Sequence, residues 1–207
     1  MPARLGAVFA ALIMAALLAG CGSDSDAESA IAEDRKAAPS AAFRPNDALL
    51  NESDIPGFAE VESSPGDGIC GFRLVERAAN GGRATFQSLE EVALVEQLVL
   101  FFDGDADDSL NAFVSAVEGC ESGTTGDYTL TYAIVPVTGV TADQVVGVEA
   151  VSTKGDPAIA SLTIVARDGE EAVSVAAVTT SGEPDALATR TVNAAITRLR
   201  SARAAAG

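Results

Sequence analysis

The first 21 residues constrain the fold most, because they decide in which compartment the rest of the chain folds. Arg4 precedes an apolar run from Leu5 to Leu17, and Leu18-Ala19-Gly20-Cys21 closes it with two small residues before a cysteine. A basic start, an apolar middle and small residues at a cut site are the ordered parts of an export signal, which is removed from the mature chain. Length separates it from a membrane anchor: a span takes ~20 apolar residues, whereas 16 residues lie between Arg4 and Cys21. Residues 1–20 are therefore expected to leave the fold, and the remainder to fold where thiols are oxidised.

The tetrad Leu18-Ala19-Gly20-Cys21 resembles the lipobox of bacterial lipoproteins. That resemblance implies that the Cys21 thiol takes a diacylglycerol and becomes the first residue after cleavage. One acyl chain holds a protein only marginally, and two or three attach it durably. The expected location is the outer face of the cytoplasmic membrane, in the cell envelope, with the membrane as partner through the lipid on Cys21.

Composition narrows the chemistry. Thirteen basic against thirty acidic residues give a formal charge of −17, and losing Arg4 with the signal leaves the remainder one unit more negative. Such a surface repels phosphates, which excludes nucleic acid as a partner. There is no histidine and no tryptophan, and lysine occurs only at Lys36 and Lys154. Ser-His and Cys-His nucleophiles both need imidazole, catalytic zinc sites draw on it, and a Schiff base could form only at Lys154. Carboxylate chemistry remains open, but thirty acids single out no pair. No catalytic residue and no cofactor are expected.

With Cys21 given to lipid, Cys70 and Cys120 are an even pair in an oxidising setting and are expected to form a disulfide. Closing a loop of that length contributes up to ~4 kcal/mol in the chain-entropy view. Two separate buried thiols are the alternative; a metal site is the weaker one, since two sulfurs without imidazole are too few soft ligands.

Residues 21–44, poor in large apolar side chains and rich in Ser, Asp, Ala and Glu, read as a disordered stalk. Residues 45–203 then form a single domain, with 204–207 as a tail. Asn46 and Asp47 are placed to cap a short helix through Leu49 and Leu50, ended by Asp54-Ile55-Pro56-Gly57. Strands are expected at 58–62, near 83–88 and at 92–102. The last run is apolar enough to suit a buried helix as well, and its β-branched and aromatic content favours the strand.

Asp103-Gly104-Asp105-Ala106-Asp107-Asp108 stands directly before Leu110, Phe113, Val114 and Val117, spaced as one face of a helix. Asp103, Asp105 and Asp107 at alternate positions are weak calcium candidates. The sixth position holds Asp108 where an EF-hand turn requires Gly, and the twelfth holds Val114 where a bidentate Glu should sit. The expected role is helix capping and dipole complementarity, with no metal.

From residue 127 onward the pattern alternates: Tyr128 to Ile134, Val145 to Ser152, then Ala160 to Ile164 after the turn Lys154-Gly155-Asp156-Pro157. Asp168-Gly169 marks a hairpin into Ala172 to Thr179. A last helix follows Glu183-Pro184-Asp185, with the stripe Ala188, Val192, Ala195, Ile196 and Leu199 facing a sheet, and Arg198, Arg200 and Arg203 near its C-terminal end, where the dipole favours cations. The expected fold is α+β: one domain with a mainly antiparallel sheet, two main helices on one face, and one disulfide.

The order Leu49-Leu50, Ile55-Pro56-Gly57-Phe58, Cys70, a strand running into Phe102-Asp103, a helix ending at Cys120, several strands and a final helix resembles the PknH-like extracellular sensor domain. That family occurs on actinobacterial receptor Ser/Thr kinases and as stand-alone lipoproteins. The resemblance implies a non-catalytic module with a cleft for an envelope ligand or protein partner, and no kinase activity. It covers most of residues 45–203. A second disulfide frequent in the family is absent, and Gly147-Val148-Glu149 stands where the family carries Gly-Asp-Glu. The alternative functions are a carrier of an apolar ligand or lipid, and a hydrolase working through paired carboxylates.

Overall fold

A computed structural model describes residues 43–62, 68–125, 127–180 and 183–207. The export signal, Cys21 and the stalk up to residue 42 lie outside the described residues, as do residues 63–67 of the loop before Cys70. Ser40–Gly207 forms one compact unit.

The strands are β1 (Phe58–Glu60), β2 (Asn80–Ser88), β3 (Ala93–Phe101), β4 (Ser122–Thr125), β5 (Tyr128–Val135), β6 (Gln144–Lys154), β7 (Ala160–Asp168) and β8 (Glu171–Thr179). The helices are α1 (Ala106–Glu118) and α2 (Asp185–Ala206). All eight strands make one sheet in the order β1-β2-β3-β8-β7-β6-β5-β4, and every neighbouring pair is antiparallel. The α+β expectation holds. The run at 92–102 is a strand over Ala93–Phe101 inside the sheet, one face buried and the other half-buried, so apolar side chains suit both faces and the sequence shows no clean alternation. At the hairpin Asp168 pairs with Glu171 across Gly169-Glu170, and Gly169 takes the positive φ of 75° that such a two-residue turn needs.

The two helices pack on opposite faces, which corrects the one-face expectation. Ala188, Val192, Ala195, Ile196 and Leu199 of α2 pack with Leu162, Ile164 and Ala166 of β7 and with Val173 and Val175 of β8. Leu110, Phe113 and Val117 of α1 pack instead with Val165, Ala172, Leu100 and Val148. Val165 lies between Ile164 and Ala166, and neighbouring strand residues point to opposite faces, so each helix seals its own core.

No helix forms at Leu49 and Leu50. A 3₁₀ turn at Pro45–Ala48 stands there, with Asn46 and Asp47 inside it and Arg44 at its N-cap without a side-chain bond. Pro45 supplies the fixed φ of the first position. The Leu50 N–H is taken by the Gln97 side chain at 2.8 Å, and Gln97 in turn donates to the Ala48 carbonyl at 3.4 Å. Phe43, placed in the stalk by composition, is half-buried against the α2 core. Residues 204–206, read as tail, continue α2.

Candidate functional site

Strand register lays out the face that α1 shares. Thr85 opposes Glu96, Glu96 opposes Ala176, and Ala176 opposes Thr163, forming one row across β2, β3, β8 and β7. The adjoining row runs Arg83, Leu98, Ser174, Val165. Val165 and Leu98 belong to the α1 core, whereas Thr85, Thr163 and Ser174 are buried polar side chains outside it. Small hydroxyl and methyl side chains thus floor the part of this face beyond α1. Arg83 and Glu96 form an ion pair there, with side chains 21% and 26% exposed.

A shallow, open depression of about 640 Å³ lies at the same margin, lined by Glu60, Val61 and Glu62 of β1 and the residues following it and by Arg83, Ala84 and Thr85 of β2. It exists because β1 is short: its last bond to β2 runs from the Val61 N–H to the Thr85 carbonyl at 2.8 Å. The lining offers carboxylates, a guanidinium already matched by Glu96, and a hydroxyl. These groups can hold a polar ligand by hydrogen bonds and charge; they include no activated nucleophile. The sequence did carry a signal for this place, since Glu96-Gln97 interrupts an otherwise apolar run. Its partner Arg83 lies 13 residues away on another strand, and only register joins them.

Cys70 and Cys120 are bridged, with Cα atoms 5.9 Å apart. The bridge staples the end of α1 to a tight turn, Ile69 to Phe72, closed by bonds of 2.8 and 3.1 Å between the two outer residues. Cys70 sits there at φ 55° beside Gly71 at φ 73°, a conformation unfavourable for a residue with a Cβ. A smaller pocket of about 230 Å³ lies beside it, between the disulfide and Tyr132.

The acidic loop meets the dipole expectation but not the capping one. Asp105 is the N-cap of α1 yet makes no side-chain cap bond. Asp107 pairs with Arg167 of β7 at 2.8 Å, and the Gly104 N–H goes to Glu170 at 3.1 Å. Asp103, Asp105 and Asp107 are not brought together: among the described residues no group of three or more His, Cys, Asp or Glu side chains converges as a metal centre would. Asp107 and Asp108 do stand in the first turn of α1, where the dipole favours them.

Arg203 stands in the last turn of α2 as expected, and the arginines of this helix also hold side chains of other elements. Arg198 lies 3.6 Å from Asp54. Arg200 and Arg203 both grip Asp168 at 2.9 and 3.1 Å, and Arg203 also reaches Glu171 at 3.2 Å. The Arg200 hydrogen bond, aided by both positive charges, holds the Asp168 carboxyl below its usual value against the opposing effect of burial. Val148, standing where the PknH-like pattern has Asp, is buried under α1. Gly147 beside it has no room for a Cβ, which would lie 2.4 Å from Val137.

The extracellular domain of PknH from Mycobacterium tuberculosis, known from a crystal structure, matches this fold with a TM-score of 0.54 at 11% identity, covering 76% of this chain and 93% of that one. No protein-family model matches the chain, and no curated protein does. The fold is thus similar to that of an extracellular domain, and the disulfide is a bond that forms and persists in oxidising compartments.

Proposed function

We propose that the protein is a lipid-anchored module of the cell envelope that binds a polar ligand or protein partner, without catalysis, on the sheet face that α1 leaves uncovered. The observation that carries the reading is the depression at the β1–β2 margin, lined by Glu60, Glu62, Thr85 and by Arg83, whose guanidinium is held by Glu96. The likeness to the PknH extracellular domain supports a sensor-like role, and the Cys21 motif supports the anchor. The apolar side chains of the central strands are taken up by the two helix-covered cores, so the geometry favours a polar ligand over an apolar cargo.

Mass spectrometry of whatever co-purifies with the exported fragment Ser40–Gly207 tests this. The expected result is a polar ligand whose recovery falls at least tenfold in Arg83→Ala. A stoichiometric lipid in the same fraction would replace the reading by the carrier. Turnover of glycosides, esters or peptides, lost on a single carboxylate substitution, would replace it by the hydrolase.

A further inference from the structure

The two short outer strands leave parts of the sheet edge uncovered, and the two sides are treated differently. On the β2 side the first 3₁₀ turn packs on the sheet face beyond β1, where a Cβ on Gly82 would lie 2.5 Å from Asn46 and 3.2 Å from Pro45. Glu60 and Glu62 add charge at that margin. On the β5 side, pairing with β4 stops where Ser122 meets Thr131. Ala133, Ile134 and Val135 are paired with β6 on one flank only, and no described strand lies on their other flank. Ala133 and Ile134 are exposed, Ile134 at 41%.

Proteins usually guard such an edge with lysine, an inward charge or a bulge, because its N–H and C=O groups seek another strand. Here β5 reads Tyr-Thr-Leu-Thr-Tyr-Ala-Ile-Val, eight residues without a charge in a chain of formal charge −17. Its bulge lies at Thr129/Leu130, below the open part. We propose that this stretch of β5 pairs antiparallel with the same stretch of a second copy, joining the two sheets edge to edge. An antiparallel pair is its own two-fold partner and closes as a dimer. Centred on Ile134, it sets Ala133 of one copy opposite Val135 of the other. The uncharged strip is also where two strongly acidic chains approach without setting like charges face to face. Pro136 follows directly and carries no N–H, which limits the contact to about three residues a side and makes the dimer a weak one.

Sedimentation velocity of Ser40–Gly207, the compact unit, from about 10 µM to about 1 mM tests this, that window matching a short contact. The expected result is a monomer–dimer equilibrium in which hydrogen exchange at Ile134, whose neighbours Ala133 and Val135 bond to β6, slows as concentration rises. Ile134→Asp should weaken the dimer at least tenfold. Val151→Asp makes the same change at a side chain of equal exposure, 41%, on the inner strand β6, and should leave it intact. A monomer throughout the range, an Ile134→Asp dimer of unchanged strength, or equal weakening by both variants would overturn the proposal. Ligand recovery in the preceding section does not depend on the outcome.

Discussion

Gln97 is fully buried in the middle of β3, and its amide both accepts from Leu50 and donates to Ala48. Replacing it by leucine keeps the volume but strands a buried backbone N–H, a loss of about 1 to 3 kcal/mol. Gln97→Leu should therefore lower the urea midpoint of Ser40–Gly207 and speed hydrogen exchange at Leu50; an unchanged midpoint would mean that the opening segment is held by packing alone. A polar pair inside the run at 92–102 was visible in the sequence, but its partners 47 and 49 residues away were not, because nothing local encodes which backbone group a buried amide will meet.

Two fastenings act between elements. In the first, α2 grips the β7–β8 hairpin through Asp168, whose side chain is 12% exposed, while Arg200 and Arg203 are 44% and 43% exposed. Asp168→Asn should cost about 1 to 2 kcal/mol at pH 7, the exposed guanidinium groups keeping it modest. Because the folded carboxyl titrates below its unfolded value of ~3.9, its contribution is complete above that value and fades as pH falls through the folded one. Wild type and Asp168→Asn should then converge in urea midpoint between pH 5 and strongly acidic solution, whereas a constant gap would deny the ion pairs a role. In the second, the disulfide holds α1 at its C-terminal end. Cys70→Ser and Cys120→Ser should each lose about 2 to 4 kcal/mol, and the double variant no more than either alone, since one bond is shared; additive losses would contradict this. Among the elements, the α2 stripe, the Gly169 hairpin and the cysteine pairing were legible because each is carried by spacing or turn chemistry. The strand Ser122–Thr125 was not, because Ser-Gly-Thr-Thr has no apolar alternation and is fixed by pairing with β5. Nor does periodicity say on which face of a sheet a helix will lie.

At the scale of the whole molecule, the anchor is expected to rest on one sulfur. Cys21→Ser should move the protein from the detergent phase to the aqueous phase and leave its N-terminus uncut; an acyl-free mass for the wild type would remove the anchor from the proposal. The sheet order has a temporal consequence. β3 lies between β2 and β8, so the meander β1-β2-β3 gains its inner neighbour only when residues 171–179 arrive, and α2, the wall of one core, comes later still. On the proposed export route, N-terminus first, the chain holds its most apolar strand bare on one side until most of it has crossed. On that route its exposure to proteolysis and to wrong pairing is set by the pace of translocation, and a chain stalled before residue 171 leaves that strand with β2 alone as its native neighbour.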